Sequence, residues 1–294
     1  MTRPCPGAPA PTAPATPPPT GACDCHLHVF GPFSRYPLAA ERPYTPPEAA
    51  LADLRQYMTV MGLSRVVIAQ PSAYGLDMAA TLDAIAALGP AARGAAMVPE
   101  TVSNATLAAW HEAGIRSARL SASIGHPATP ERIRSLAARI APFGWSLAIW
   151  PESPDELSLL ATLAGTLPVP LILDHFAARA WEPGAGLEQP GFRTLRDMLA
   201  SGRVWLKLSA PSRADAGPPP WPALLPYAAT LIRDAPERLL WASDWPHVGH
   251  WHAPTPPSGA LLDFLCGSGG SQAAVQQILV DNPARLYDFG SISK

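Results

Sequence analysis

The stretch CDCHLHVFG, residues 23–31, places two imidazoles, His26 and His28, one residue apart in an apolar run. In an extended strand, residues i and i+2 share a face, so both rings project together, and Asp24 falls on that face too. Two aligned imidazoles suit a divalent metal or a carbonyl oxygen gaining negative charge. A pair of core histidines bonded to backbone is the bland alternative. Other groups of the same kind recur downstream: Gln70 and Ser72, Arg119, Asp174 and His175, Lys207 and Ser209, Arg213, Asp244 and His247. An apolar interior does not tolerate unpaired charges, so several such groups recurring at the ends of apolar runs are better explained by a site than by chance.

These groups sit at the ends of short apolar runs. The runs fall at 23–30, 65–72, 93–99, 117–123, 146–151, 170–177, 204–210 and 239–246. Helical patterns fill the gaps. Thr45-Pro46, Thr129-Pro130 and Ser153-Pro154 each offer a hydroxyl cap followed by proline at the first helical position. Ser103 and Asn104 can cap another helix running to about His111, and Gly62, Gly114 and Gly165 are helix stops. Eight βα units predict an α/β fold, a (β/α)8 TIM barrel, whose chemistry collects at the C-terminal strand ends. The competing doubly wound sheet would carry a glycine-rich phosphate turn after its first strand, and none is present.

The totals agree. With 48% apolar residues and 15% charged, the 294-residue chain can bury a large core. A net charge of −2 supplies no basic field for nucleic acid or an anionic membrane. Residues 1–22 hold eight prolines and no signal-like apolar segment, and are expected to form a disordered Pro/Ala/Thr-rich tail. Residues 23–294 then form the barrel domain. Cys5, Cys23, Cys25 and Cys266 have no zinc-ribbon spacing and read as free thiols of a cytoplasmic protein.

DCHLHVFG, LILDHF, LLWASDWPH and LVDNPARLY resemble the amidohydrolase superfamily. HVFGPFSRYPLAAERPYTPPEA, VVIAQPSAYG, GIRSARLS and SAPSR narrow the resemblance to its family 2 branch, the lactonases of 2-pyrone-4,6-dicarboxylate type and their relatives. The resemblance spans about residues 22–288. It implies a barrel that opens the ring ester of a small anionic lactone, a pyrone dicarboxylate or a related compound of aromatic catabolism. It implies that His26, His28 and His175 surround the lactone carbonyl and that Asp244 is the general base, which needs a moderately raised pKa. Arg119 and Arg213 would bind substrate carboxylates, with Tyr44 adding a hydrogen bond and Ser72 and His247 lining the site.

Departures from the family matter too. Many relatives hold two metals through a carbamylated lysine and a strand-five histidine, but here strand four presents Arg119 and strand five ends IWPE. A binuclear centre is not expected. No cofactor is the first expectation; one divalent ion such as zinc on His26, His28, His175 and Asp244 is the alternative. Trp150 stands where the family has a tyrosine, exchanging a hydroxyl for bulk, and DHFAARAWEPG and SASIG differ from the family pattern around the pocket. A metal-dependent sulfomuconolactone or sugar lactonase, a decarboxylase, and a non-catalytic barrel are the competing readings. A monomer or small homo-oligomer is expected. His111, His126, His250 and His252 read as packing, solvated or rim residues.

Overall fold

The computed structural model describes residues 2–122, 126–215, 217–251 and 254–290. Eight parallel strands run in sequence order: β1 (Cys23–Leu27), β2 (Arg65–Ala69), β3 (Ala92–Met97), β4 (Ile115–Arg119), β5 (Ser146–Ile149), β6 (Leu171–Leu173), β7 (Val204–Ser209) and β8 (Leu239–Ala242). Between and after them lie helices α1 (Leu51–Met61), α2 (Ala79–Leu88), α3 (Asn104–Glu112), α4 (Pro130–Ile140), α5 (Pro154–Ala164) and α6 (Pro190–Ala200). The remainder are α7 (Pro211–Ala214), α8 (Leu225–Asp234), α9 (Ser258–Gly267), α10 (Gln272–Gln276) and α11 (Asn282–Leu286). This is the expected (β/α)8 barrel, nearly closed. The strands stop earlier than their apolar runs, because the polar rim begins inside each run. Among the described residues no helix is long and apolar enough to cross a membrane.

The interior is filled by alternate strand residues, including Cys23, Cys25, Val67, Ala148, Ile172, Trp205, Leu240 and Ala242. A second layer between sheet and helices holds Leu27, Val66, Ile68, Leu147, Leu206 and Trp241. The barrel closes at the C-terminal rim of its strands through the backbone of the candidate residues themselves. His28 N donates to Trp245 O at 2.8 Å, and Asp244 N to His26 O at 2.9 Å. At the opposite rim arginines are spent on carbonyls: Arg65 on Gly21 and Val280, Arg116 on His111, Arg203 on Leu167.

Thr129 and Ser153 cap α4 and α5 as expected, accepting from Arg132 N and Glu156 N. Ser103 does the same for α3. Thr45-Pro46 does not start a helix. Thr45 instead exchanges backbone hydrogen bonds with the N-terminal segment, and α1 begins at Leu51, where Asp53 accepts from Ala50 N.

That N-terminal segment departs from the free tail expected for residues 1–22. Cys5 N donates to Thr45 O at 2.8 Å and Thr45 N to Arg3 O at 3.0 Å. Trp251 Nε1 donates to Pro4 O, Gly259 N to Thr12 Oγ1, and Ala15 N to Asp263 Oδ1. A proline-rich strand cannot form a core, but its carbonyls can accept from a barrel that offers indole and backbone donors. Gly259 permits the close approach: a Cβ there would lie 2.2 Å from Ala13 O.

Candidate active site

Strand β1 does not alternate as the sequence suggests. Its pairing with β2 shifts register between Asp24 and Leu27. Cys25 joins the interior cluster, and Asp24 turns away from the imidazoles. Its carboxylate accepts from Tyr57 Oη on α1, from Ser243 N and Oγ, and from His26 N. Asp24 therefore ties β1 to β8 and takes no part in a ligand set. Burial pushes its pKa up to about 6 against the lowering of the Ser243 and His26 hydrogen bonds.

His26, His28, His175 and Asp244 converge as expected and are all buried. The Nε2 atoms of His28, His26 and His175 lie 3.5, 3.8 and 4.0 Å from one oxygen, Asp244 Oδ1. Each ring is fixed from behind. His28 Nδ1 donates to Ala69 O at 2.7 Å, because a carbonyl can only accept. His175 Nδ1 pairs with Ser209 Oγ at 2.9 Å. His26 Nδ1 faces Lys207 Nζ at 3.1 Å, and that ammonium also lies 2.9 Å from Asp174 Oδ1. Lys207 is thus an interior ion-pair partner, fully enclosed beneath the histidines.

The backbone at this rim is strained. His175, Ala210, Asp244 and His247 have φ of 52°, 49°, 65° and 65°. Each left-handed non-glycine residue costs about 1–2 kcal/mol. The hydrogen bonds that hold these turns, such as His247 N to Asp244 O at 2.8 Å, oppose that cost.

Asp244 is not the raised carboxylate that the sequence reading called for. Burial acts to raise its pKa, but the Arg213 guanidinium, foremost, holds it well below the usual carboxylate range. Arg213 Nε and Nη2 both donate to Asp244 Oδ2, at 2.9 and 2.7 Å, and Nη2 also reaches Val248 O. So Arg213, assigned by resemblance to a substrate carboxylate, is committed to the candidate base. Burial keeps His175 and His247 deprotonated, with pKa values lowered to about 4 and about 3 despite the opposing pull of Asp244. Burial also lowers His26, aided by Lys207 and opposed by Asp174.

Arg119 differs from Arg213. Its Nη1 donates to Gln70 O at 2.9 Å, its Nε is buried without a partner, and among the described residues no carboxylate pairs with it. The Tyr44 phenol stands near Ser72 and in the fields of both Arg119 and Asp244; burial raises its pKa to about 12, which keeps it a donor. Trp150 packs its ring edge against His175, with centroids 4.7 Å apart, and its indole N–H is buried and unpartnered. Arg179, overlooked in the sequence, lies 3.6 Å over that indole and pairs with Glu152. Its signal was the DHFAARA departure. His250 is buried edge-on to His247. His111 accepts from Trp145 Nε1 in an aromatic cluster and is a packing residue. His252 and residues 123–125 of SASIG lie outside the described residues.

His26, His28 and Asp244 offer ligand atoms within 4.8 Å of one another, close enough for one divalent ion. Two of the three suit it. His28 gives its Nδ1 proton to a carbonyl, which leaves Nε2 as a lone pair, and Asp244 Oδ1 is open. His26 suits it poorly, because its rear nitrogen meets an ammonium where a metal-binding imidazole needs an acceptor.

A family model described as amidohydrolase matches residues 23–289. The 4-sulfomuconolactone hydrolase of Rhizobium radiobacter is 34% identical over 273 residues, 92% of this chain and 90% of that one. The 2-pyrone-4,6-dicarboxylate hydrolase of Comamonas testosteroni is 33% identical over 279 residues, again covering 92% and 90%. A crystal structure from Agrobacterium tumefaciens superposes with a TM-score of 0.85 at 24% identity, covering 96% of this chain and 99% of that one, and shares the fold.

Proposed function

This chain belongs to the amidohydrolase family, and from that premise we propose that it hydrolyses the ring ester of a small anionic lactone from aromatic catabolism. The observation that carries the reading is charge bookkeeping at the rim. Lys207 is paired with Asp174, Arg213 with Asp244 and Arg179 with Glu152, while among the described residues Arg119 meets no carboxylate and stands beside the Tyr44 phenol. A guanidinium with a free edge in a partly enclosed site selects a carboxylate on the substrate. The relatives that act on 4-sulfomuconolactone and 2-pyrone-4,6-dicarboxylate share this preference for anionic rings by name.

The chemistry follows from the geometry. Asp244 Oδ1 accepts a proton from water, and the hydroxide attacks the lactone carbonyl carbon. The π pair moves to the carbonyl oxygen, where a proton on His26 Nε2 can donate to it. Collapse of the tetrahedral state breaks the ring C–O bond, and the departing oxygen recovers the proton held by Asp244. The product is a ring-opened acid. No step is routed through a metal, because an ammonium behind His26 Nδ1 suits that ring poorly as a ligand. A one-metal site on His28, His175 and Asp244 is the second reading, favoured by the closeness of these atoms around Oδ1. Partners beyond a small molecule are not needed for either.

A panel of anionic and neutral lactones followed by pH-stat tests the reading. Ring opening releases acid, so base uptake with the anionic members is the expected result. Proton consumption would point to decarboxylation, and inertness toward every lactone would overturn the assignment.

A further inference from the structure

We propose that Lys207 sets the tautomer of His26, making that imidazole a hydrogen-bond donor into the site and an unfit metal ligand. Lys207 is fully buried on β7, with Nζ 3.1 Å from His26 Nδ1. A lysine ammonium has three protons and no lone pair. Were Nδ1 also protonated, two N–H groups would point at each other across 3.1 Å in a dry interior. Nδ1 therefore accepts, and the neutral ring carries its one proton on Nε2. Asp174 is the group that would favour the opposite arrangement. Its Oδ1 is 3.5 Å from His26 Nδ1 but 2.9 Å from Lys207 Nζ, so it holds the ammonium rather than the imidazole.

The consequence lies at the other nitrogen. His26 Nε2 is buried, has no hydrogen-bond partner among the described residues and faces Asp244 Oδ1 from 3.8 Å. An unpartnered N–H aimed into an enclosed site is what a carbonyl oxygen needs as it gains charge. His28 is wired the opposite way: its Nδ1 proton goes to Ala69 O, and Nε2 is left as an acceptor. Two imidazoles one residue apart thus present opposite faces, one a proton and one a lone pair. The lactonase reading supplies the carbonyl oxygen as acceptor; the tautomer itself stands without it.

Full-length enzyme labelled with 15N-histidine tests this in the absence of substrate. Long-range 1H–15N spectra at neutral pH, with His26 assigned through His26→Gln, should show a bare Nδ1 and a protonated Nε2. A protonated Nδ1 on His26 overturns the proposal. The second arm compares zinc affinity of wild type and Lys207→Met by competition with a chromophoric chelator. With the ammonium gone, Nδ1–H turns to Asp174 and Nε2 becomes a lone pair, so zinc should bind about tenfold or more tightly. Unchanged or weaker affinity in a folded variant counts against it. If Lys207→Met fails to fold, the wild-type tautomer decides alone. Inertness toward lactones with the tautomer as stated would defeat only the substrate class.

Discussion

Arg213 places Nε and Nη2 on the same oxygen of Asp244, Oδ2, and leaves Oδ1 to the three histidines. The two oxygens of one carboxylate are thereby given different tasks. Oδ2 is an anchor that fixes the plane of the group, and Oδ1 is the open atom at which water can lose a proton. The same pairing lowers the basicity of Asp244, so the site trades proton affinity for a base that stays ionised and aimed.

Asp244→Asn should lower kcat at least about 10²-fold, the usual worth of a positioned base. The amide keeps the shape but offers no basic oxygen. Substrate binding, read as Kd for a non-hydrolysed analogue, should change little. Wild-type kcat across neutral pH would remove Asp244 from the base role.

Arg213→Met should harm anionic and neutral lactones alike, because it disturbs the base rather than the substrate's charge. Without the guanidinium the Asp244 pKa rises. Activity requires the ionised form and is lost as pH falls through that pKa, so the acid limb of kcat/KM moves to higher pH. A loss confined to anionic substrates with an unmoved acid limb would instead return Arg213 to carboxylate binding.

The barrel and the His26, His28, His175 and Asp244 set were legible because each depends on local pattern. Apolar runs fall at even spacing, and polar residues end them. What escaped depends on distance or on irregularity. Asp24 was placed with the imidazoles by strict alternation, and the register shift beside it resets the phase. Arg213 and Asp244 meet across β7 and β8, 31 residues apart, which no spacing rule reveals. The N-terminal contacts join residues almost 250 positions apart, as Trp251 with Pro4, and composition alone reads such a segment as free.

Gly259→Ala should separate a packed N-terminal segment from a loose one by sign. In a helix, alanine stabilises by up to about 1 kcal/mol over glycine. Here its Cβ would meet Ala13 O at 2.2 Å, a backbone atom that must move. The variant should therefore melt at lower temperature than wild type, and removal of residues 2–14 should cost several degrees as well. Each lost hydrogen bond is worth about 0.5–1.5 kcal/mol. A Gly259→Ala chain that gains stability would mean that the segment does not rest on α9.

Acidification should destabilise the fold between pH 6.5 and 4. His175 and His247 titrate near 6.5 when unfolded but at about 4 and about 3 when folded. Across that window the unfolded chain binds more protons, so stability falls as pH falls. His26 acts in the same direction. Burial lowers His111 and His250 as well, so Asp24, raised to about 6 and binding its proton in the folded state first, opposes them as one group against five. A melting temperature at pH 5 equal to or above that at pH 7 would show that the imidazoles protonate within the fold.

Arg119 should select charge on the substrate. A charge-assisted contact in a partly enclosed pocket is worth about 1.5–3 kcal/mol, or roughly ten- to over a hundred-fold. Arg119→Met should cut kcat/KM for an anionic lactone by that factor and leave a neutral methyl-ester analogue nearly untouched. Lysine at this position should recover part of the loss, since it restores charge without the two-pronged donor geometry. The comparison with Arg213→Met is the decisive one. Among the described residues Arg119 holds no carboxylate, so its removal leaves Asp244 and its acid limb in place. Removal of Arg213 moves that limb. If Arg119→Met harms both substrates equally, its guanidinium serves the Gln70 carbonyl and the loop it anchors, and the anion-binding edge must be sought at Arg179 beside Trp150.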